Sequence, residues 1–401
     1  MTKYQNKRLR TWIEIETSIL EQNYQFFRGL VKKDCAIMAV VKSNGYGHGL
    51  AETAKILSSY TNNEFQVLSL WFGVDNIEEA LLLRKNGMRN PILVLGWTFP
   101  QDFRKAVLNN ISLTVSDFET IEALKKFSDS KTRQKLKIHL KIDTGMRRQG
   151  FLMSDMPDLT ECLTNFHNPT EQVEVEGIFT HFSSASDINH PEIALKQIEE
   201  FKKALAYLEN QRIKPKIRHC ANTAATLLFP ESHFDMVRVG IGLYGLSLSE
   251  SLCKDGPCTM IVQGPSLQWQ AKPALSWKTI ISEIKNLPKA SKIGYDLTET
   301  VKRDSKIAIL PIGYWHGLPR LLSRVGYVLI NGQKAKILGN ISMDMTAVDI
   351  TGIDAKIGDE AVLIGKSGNL EISADEIASA ANTINYEIVT RINPLIQRMY
   401  L

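Results

Sequence analysis

Cysteine is scarce and unpatterned in this chain. The five present, Cys35, Cys162, Cys220, Cys253 and Cys258, are odd in number and scattered, with no C-x-x-C pair and no metal-ligand spacing. That argues against a disulfide framework and against a bound metal, and it fits reduced thiols in the cytoplasm. Long apolar runs are missing too: Met1-Thr2-Lys3-Tyr4-Gln5-Asn6-Lys7 carries no signal-type apolar segment, and no stretch approaches the about 20 apolar residues that span a bilayer. A strong charge excess is also lacking. The 48 basic and 43 acidic residues are interspersed, for a net +5, so neither a nucleic-acid nor a membrane partner is expected. Internal repeats and low-complexity tracts are absent.

What remains is an ordinary globular composition, 44% hydrophobic and 23% charged over 401 residues. That length exceeds what one core usually serves, so two domains are expected, one of them large enough for a barrel. From about residue 34 to 245, short β-rich apolar runs alternate with segments of helical period. The strands read as Ala36–Val41, Val67–Trp71, Pro91–Leu95, Ser112–Val115, Leu136–Ile142, Val173–Thr180, Lys216–Cys220 and Met236–Val239. Helices are expected at Gly49–Ser58, Ile77–Asn86, Asp117–Lys126 and Ile193–Glu209. Eight βα units in about 210 residues specify an α/β fold, a (β/α)8 TIM barrel.

The character changes after Tyr244-Gly245. Ser247–Gln270 is rich in Ser, Gly, Pro and Cys, and strand-like runs without intervening helices follow: Trp277–Ile284, Ile307–Leu310, Gly326–Ile330, Ala335–Leu338, Thr346–Asp349 and Glu360–Ile364, with one helix at Ile372–Ala381. These predict a C-terminal, mainly antiparallel β domain. The expected division is 12–246 for the barrel, with 1–11 and 247–401 in the β domain. The alternating run Arg10-Thr11-Trp12-Ile13-Glu14-Ile15 is open to either.

Barrel active sites lie at the C-terminal ends of the strands. Lys42 follows the first strand, Arg147 and Arg148 the fifth, His181 ends the sixth, His219 sits on the seventh and Arg238 on the eighth. Around Lys42, Gly45, Gly47 and Gly49 alternate with Asn44, Tyr46 and His48, a permissive backbone carrying polar groups. A lysine desolvated there can lose its proton and attack an aldehyde to form a Schiff base. Read alone, the cluster also fits a plain polar turn.

The run Val40-Val41-Lys42 through Tyr46-Gly47-His48-Gly49 resembles the cofactor-lysine signature of the alanine racemase family, of fold type III. Further motifs follow in that family's order: Leu140-Lys141-Ile142-Asp143-Thr144-Gly145-Met146, Thr180-His181-Phe182, His219-Cys220-Ala221-Asn222-Thr223-Ala224-Ala225 and Arg238-Val239-Gly240-Ile241-Gly242-Leu243-Tyr244-Gly245. In the β domain, Gly294-Tyr295, Pro311-Ile312-Gly313-Tyr314, Met343-Asp344 and Thr383-Ile384-Asn385-Tyr386-Glu387 continue the likeness, which runs from about Trp12 to Tyr400.

The resemblance implies a pyridoxal 5'-phosphate enzyme that interconverts L- and D-alanine for peptidoglycan, a cytoplasmic isomerase. It also implies a head-to-tail homodimer, the β domain of one chain covering the barrel mouth of the other. Carried over position by position, Lys42 would bond the cofactor, and Tyr46, Asn222, Thr223, the amides of Gly240 and Ile241, and Tyr386 would hold its phosphate end. His181 would flank the ring and Arg238 would face the pyridine nitrogen. A permanently protonated guanidinium there makes a weaker electron sink than a carboxylate partner would. Lys42 and, from the partner, Tyr295 would serve opposite faces of Cα, with His219 between Tyr295 and Arg238 as helper. Arg148 would bind the substrate carboxylate, supported by Lys141, a position commonly carbamylated in the family. The amide of Met343 would bind the same carboxylate, and Tyr314 with Tyr386 would line a narrow access channel.

Seven positions depart from the family pattern. Arg147 and Gln149 flank Arg148 where a small or polar residue and leucine are usual, Asp296 replaces glycine, and Trp315-His316 replaces Ala-Asp. Ser43 for alanine and Thr223 for serine are mild. The same scaffold would serve a serine, lysine or broad-specificity racemase. A non-enzymatic cofactor-binding barrel would lack the β domain, and a related decarboxylase would place a carboxylate where Arg238 stands.

Overall fold

A computed structural model describes residues 9–60, 69–127, 134–164, 172–248, 259–261, 268–270 and 272–401. Strand β1 (Thr11–Ile15) opens the chain, and eight parallel strands follow: β2 (Ala36–Val40), β3 (Leu70–Val74), β4 (Ile92–Val94), β5 (Ile111–Val115), β6 (Leu136–Lys141), β7 (Val173–Phe179), β8 (Ile217–His219) and β9 (Met236–Val239). They pair in the order β8-β7-β6-β5-β4-β3-β2-β9. At the remaining seam, Asp235 N donates to Arg218 O at 3.0 Å and Arg238 N to Ala221 O at 2.9 Å. The eight-stranded barrel is therefore the expected one. Runs such as Ile111–Val115 are buried on both faces, as parallel strands under a ring of helices must be.

The helices present one apolar side inward. Thr17–Leu30, which the sequence reading did not single out, buries Leu20, Tyr24 and Phe27, each removal from water contributing roughly 1.5–3 kcal/mol. Side-chain caps start several of the others: Asn76 accepts from Glu79 N at 2.9 Å and Asp117 from Thr120 N at 2.7 Å.

The second sheet has ten strands, largely antiparallel, in the order Glu283–Leu287, Ser305–Leu310, Thr346–Asp349, Gln333–Leu338, Tyr327–Ile330, Glu360–Ser367, Leu275–Ile280, β1, Arg398–Tyr400, with Leu370–Ile372 beside Glu360–Ser367. β1 thus joins the β domain, antiparallel to Leu275–Ile280 and parallel to Arg398–Tyr400. The run expected as one strand over Trp277–Ile284 is two. The chain changes partners at Ile281-Ser282, whose amides donate to Asp359 O and Ile309 O, both at 2.9 Å. The helix expected at Ile372–Ala381 begins at Ala374, because Leu370–Ile372 is a strand and Ser373 caps the helix by accepting from Glu376 N. The first barrel helix starts at Leu50, Gly49 standing at its N-cap in a non-helical conformation. The strand expected at Val67–Trp71 lies at Leu70–Val74, and Val67 itself is outside the described residues, as is most of Ser247–Gln270.

Candidate active site

The lysine turn is built by backbone that side chains rarely tolerate. Ser43, Asn44, Gly45, Tyr46 and Gly47 follow one another with φ of 55, 56, 59, 52 and 85°, a left-handed turn directly after β2. Such runs persist only where surrounding structure over-determines them. Here the C-terminal segment of the β domain does so. Arg398 Nε donates to Gly47 O at 3.0 Å and Tyr400 Oη to His48 O at 2.9 Å. A Cβ at Gly47 would stand 2.1 Å from Val389 O, and one at Gly49 2.1 Å from Tyr400 Oη. The alternating glycines thus permit close approach of a distant segment. Glu79 fixes the other side, accepting from Ser43 N at 2.7 Å and Asp75 N at 2.8 Å. Lys42 is left with its Nζ 3.5 Å from Asp75 Oδ1.

Lys42 faces a cavity of about 570 Å³ at the C-terminal ends of the barrel strands, lined also by Tyr46, Lys141, Arg148, His181, Asn222, Thr223, Arg238, Gly240, Ile241 and Tyr386. All eleven came from the sequence. Asp75, Gln149, Phe179 and Ser186 also line it, and no motif pointed to Asp75, Phe179 or Ser186. Four cations, Lys42, Lys141, Arg148 and Arg238, face a single carboxylate, so the cavity suits an anionic guest.

Lys141 is buried against these cations. Burial, then Arg148, Arg238 and Lys42, push its ammonium down to about 8. Its Nζ donates to Gln149 Oε1 at 2.8 Å, and Gln149 Nε2 to Ser116 Oγ at 3.1 Å. The departure from leucine at 149 therefore supplies a direct partner for the lysine. The loop carrying Arg147, Arg148 and Gln149 folds back on β6: Asp143 Oδ1 accepts from Gly145 N and Arg147 N, and Phe151 N donates to Lys141 O.

Arg238 is held from all sides. Nη1 donates to His219 Nδ1 at 2.8 Å and His219 O at 3.1 Å, while Nη2 reaches Thr180 O at 2.7 Å, Cys220 O at 2.9 Å and His181 Nδ1 at 3.3 Å. Complete burial lowers its guanidinium to about 10, leaving it charged at neutral pH. Burial and the neighbouring Arg238 hold His181 far below the ordinary imidazole range, so it is neutral.

One expected placement is corrected. His219 does not stand between Arg238 and a residue across the cavity: its Nε2 lies 2.9 Å from His139 Nδ1 and its Nδ1 engages Arg238. Both nitrogens are used, and the ring is fully buried behind Arg238. The imidazole beside Arg238 at the cavity wall is His181.

At the opposite end, Thr223 Oγ1 accepts from Gly240 N at 3.1 Å and Tyr46 stacks on Tyr244 with centroids 5.0 Å apart. A Cβ at Gly240 would lie 2.8 Å from Tyr46 Oη, so glycine keeps this cradle open. Hydroxyls and backbone amides gathered at a helix start fit a phosphate, and Lys42 with Arg238 across the same cavity fits the rest of a phosphorylated pyridine aldehyde.

Tyr295, Tyr314 and Met343 do not line this cavity. They lie on the β domain and are 70%, 44% and 54% exposed. They occupy one region: Tyr314 N donates to Ser342 O at 3.1 Å, Trp315 N to Met343 O at 3.0 Å, and Asn340 Nδ2 reaches Tyr295 O at 3.5 Å. Asp296 sits at a φ of 60°. Trp315 is exposed, whereas the His316 ring turns back to accept from Gly313 N at 3.2 Å. Among the described residues no group of three or more His, Cys, Asp or Glu is placed to hold a metal, Cys35, Cys162 and Cys220 are unpaired, and no helix is long and apolar enough to cross a membrane.

Residues 15–248 match the family described as alanine racemase, N-terminal domain, and residues 274–400 the family described as alanine racemase, C-terminal domain. The chain is 37% identical over 392 residues to alanine racemase 1 of Oceanobacillus iheyensis, covering 97% of this chain and 98% of that one. It is 36% identical over 393 residues to the alanine racemase of Symbiobacterium thermophilum, covering 97% of each. Among solved structures, alanine racemase from Bacillus anthracis with bound L-Ala-P aligns with a TM-score of 0.87 at 33% identity, over 98% of this chain and 95% of that one. The Clostridium difficile alanine racemase aligns with a TM-score of 0.85 at 32% identity, over 98% and 96%.

Proposed function

Because the chain belongs to the alanine racemase family, and is thereby an amino-acid isomerase, we propose that it interconverts L- and D-alanine with pyridoxal 5'-phosphate held in the barrel cavity. The product D-alanine serves peptidoglycan in the cytoplasm. The observation that carries the reading is the single cavity that unites Lys42, Lys141, Arg148, His181 and Arg238 with the cradle of Tyr46, Asn222, Thr223, Gly240, Ile241 and Tyr386.

When bound, pyridoxal phosphate supplies an electron sink that acidifies the substrate Cα–H. The protein then has to remove a proton from one face and return it to the other. Lys42 holds the proton at Nζ on one face, with Asp75 within 3.5 Å steadying the ammonium. Arg238 donates toward the pyridine nitrogen without giving up its proton, because its guanidinium stays charged. Arg148, on its folded-back loop, binds the substrate carboxylate, and Lys141 supports it. The lowered pKa of Lys141 favours the neutral amine that takes up carbon dioxide, so a carbamate at this position belongs to the proposal.

The second face calls for Tyr295, 70% exposed on the β domain. A homodimer supplies it, with the β domain of a second copy laying Tyr295, Met343 and Tyr314 over the barrel mouth. The division of the chain near residue 246 follows this split of labour. The test is a panel of single amino-acid enantiomers incubated with the protein and pyridoxal phosphate and resolved by chiral chromatography. Alanine should lose optical purity fastest, serine or lysine in the lead would change the substrate, and retention of optical purity by every amino acid would overturn the reading.

A further inference from the structure

Behind Arg238, away from the cavity, the barrel interior holds a file of polar side chains that the proposed chemistry does not use. Glu176 Oε2 accepts from Ser112 Oγ at 2.5 Å and lies 3.2 Å from His139 Nε2. His139 Nδ1 is 2.9 Å from His219 Nε2, and His219 Nδ1 is 2.8 Å from Arg238 Nη1. Both imidazoles are fully buried and Glu176 is 8% exposed. Lys137 Nζ stands 3.4 Å from the other Glu176 oxygen.

The backbone is built for this file. The β6–β7 pairing runs Ile138↔Val175 and then His139↔Gly177, so Glu176 is the extra residue of a β-bulge. A bulge re-aims a side chain that regular alternation would send elsewhere. The next residue has to be glycine, because a Cβ at Gly177 would stand 2.3 Å from His139 Nδ1.

Only one proton assignment satisfies the file. Arg238 donates, so His219 Nδ1 has to accept and His219 Nε2 has to carry the proton. That proton is donated to His139 Nδ1, so His139 donates through Nε2 to Glu176. A proton on His139 Nδ1 would turn His219 over and set an N–H of His219 against an N–H of Arg238 at 2.8 Å. Burial would raise the Glu176 carboxyl, yet the hydrogen bonds from His139 and Ser112, with Lys137 nearby, hold it below the ordinary carboxylate range. Burial and Arg238 hold His219 far below the ordinary imidazole range. A carboxylate and a guanidinium thus compensate one another across two neutral rings.

We infer that Glu176 is a positioning residue for the racemase reaction: through His139 and His219 it fixes the tautomer of each ring and so the orientation of Arg238 at the cavity wall. The inference rests on the racemase reading given above. It is tested on the holoenzyme labelled with 15N-histidine. Both rings should appear at neutral pH as Nε2–H tautomers, and Glu176→Ala should give mixed tautomers with a kcat loss of about 10–100-fold and a KM change below about threefold. Glu176→Gln, whose amide oxygen still accepts the His139 proton, should keep both tautomers, shift the His139 Nε2 resonance and recover most of kcat. Gly177→Ala should repeat the loss without removing a polar group. If Glu176→Ala does not fold, the glutamine variant decides by the His139 resonance. A doubly protonated or Nδ1–H His219 in the unaltered protein, an unmoved His139 resonance in Glu176→Gln, or a kcat within about twofold in Glu176→Ala would each overturn the inference. Absence of racemisation by the unaltered protein would strike the functional reading and with it the kcat arm, while the nitrogen spectrum, read without turnover, would still decide whether Glu176 fixes the two tautomers.

Discussion

On the barrel side of the proposed site, Arg238 is enclosed by two imidazoles and three carbonyls, and Lys42 rides on a left-handed turn pinned by Arg398 and Tyr400. On the β-domain side, Tyr295 and Met343 project from short turns with more than half their surface in water. The first half is pre-organised within one chain, and in the proposed homodimer the second acquires its surroundings from the other copy. Preorganised groups act without rearrangement during reaction. The contrast therefore predicts that damage to the barrel half is local to its own chain, while damage to the β half is felt in the partner.

The largest effect expected tests that split. Lys42→Ala should abolish the visible absorbance of lysine-bound pyridoxal phosphate and lower racemisation by roughly 10³-fold or more. Tyr295→Phe should keep the absorbance. Mixing the two inactive proteins under subunit exchange should restore about a quarter of full activity, since half the dimers are mixed and each holds one intact site. No recovery, with exchange verified by mass, would place both halves of a site in one chain and erase the contrast.

Next in size is Tyr295→Phe itself. With alanine deuterated at Cα, wash-out of label should persist for one enantiomer, served by Lys42, and fall roughly 10²-fold for the other. Equal, small losses for both would remove Tyr295 from the two-base scheme.

The barrel half was legible in the sequence for a physical reason. A backbone that has to turn left-handed and admit Val389 and Tyr400 demands glycine at set spacings, so Gly45, Gly47 and Gly49 leave a pattern, whereas Gly240 was found only through the family resemblance. The strands were legible because burial on both faces makes them continuous apolar runs. Glu79, Asp75, His139 and Glu176 left none. Each acts through contacts with residues distant in sequence, and the bulge at Glu176 breaks the alternation that would have shown where its side chain points. His219 was misplaced because its position on β8 identifies the strand but not which way the ring's two nitrogens are engaged.

A third measurement tests the rigidity of the lysine turn. Gly47→Ala would force a Cβ to 2.1 Å from Val389 O at a φ of 85°, and should cost roughly 1–3 kcal/mol in chemical unfolding. Asp296→Gly, at a φ of 60° beside exposed Tyr295, should change stability by less than about 1 kcal/mol. Equal penalties at the two sites would mean that the β half is as constrained as the barrel half.

The smallest effect expected concerns Lys141, the cation most crowded in the barrel half. Burial, then Arg148, Arg238 and Lys42, lower its pKa from 10.5 to about 8. Between those values the unfolded chain binds more protons at this position than the folded one, so its contribution makes stability rise with pH across that window. Below pH 8 the folded protein carries the full cost of a buried ammonium beside two guanidinium groups. Lys141→Met removes that group while keeping an apolar stem of similar length. Relative to the unaltered protein, its thermal midpoint should therefore be highest near pH 7, and the difference should shrink steadily toward pH 10. A difference that stays constant over this range would show that Lys141 carries no ammonium at pH 7, as expected of an anionic carbamate or of a neutral amine held by Gln149. The crowding of cations that sets the barrel half apart would then be relieved within the fold itself.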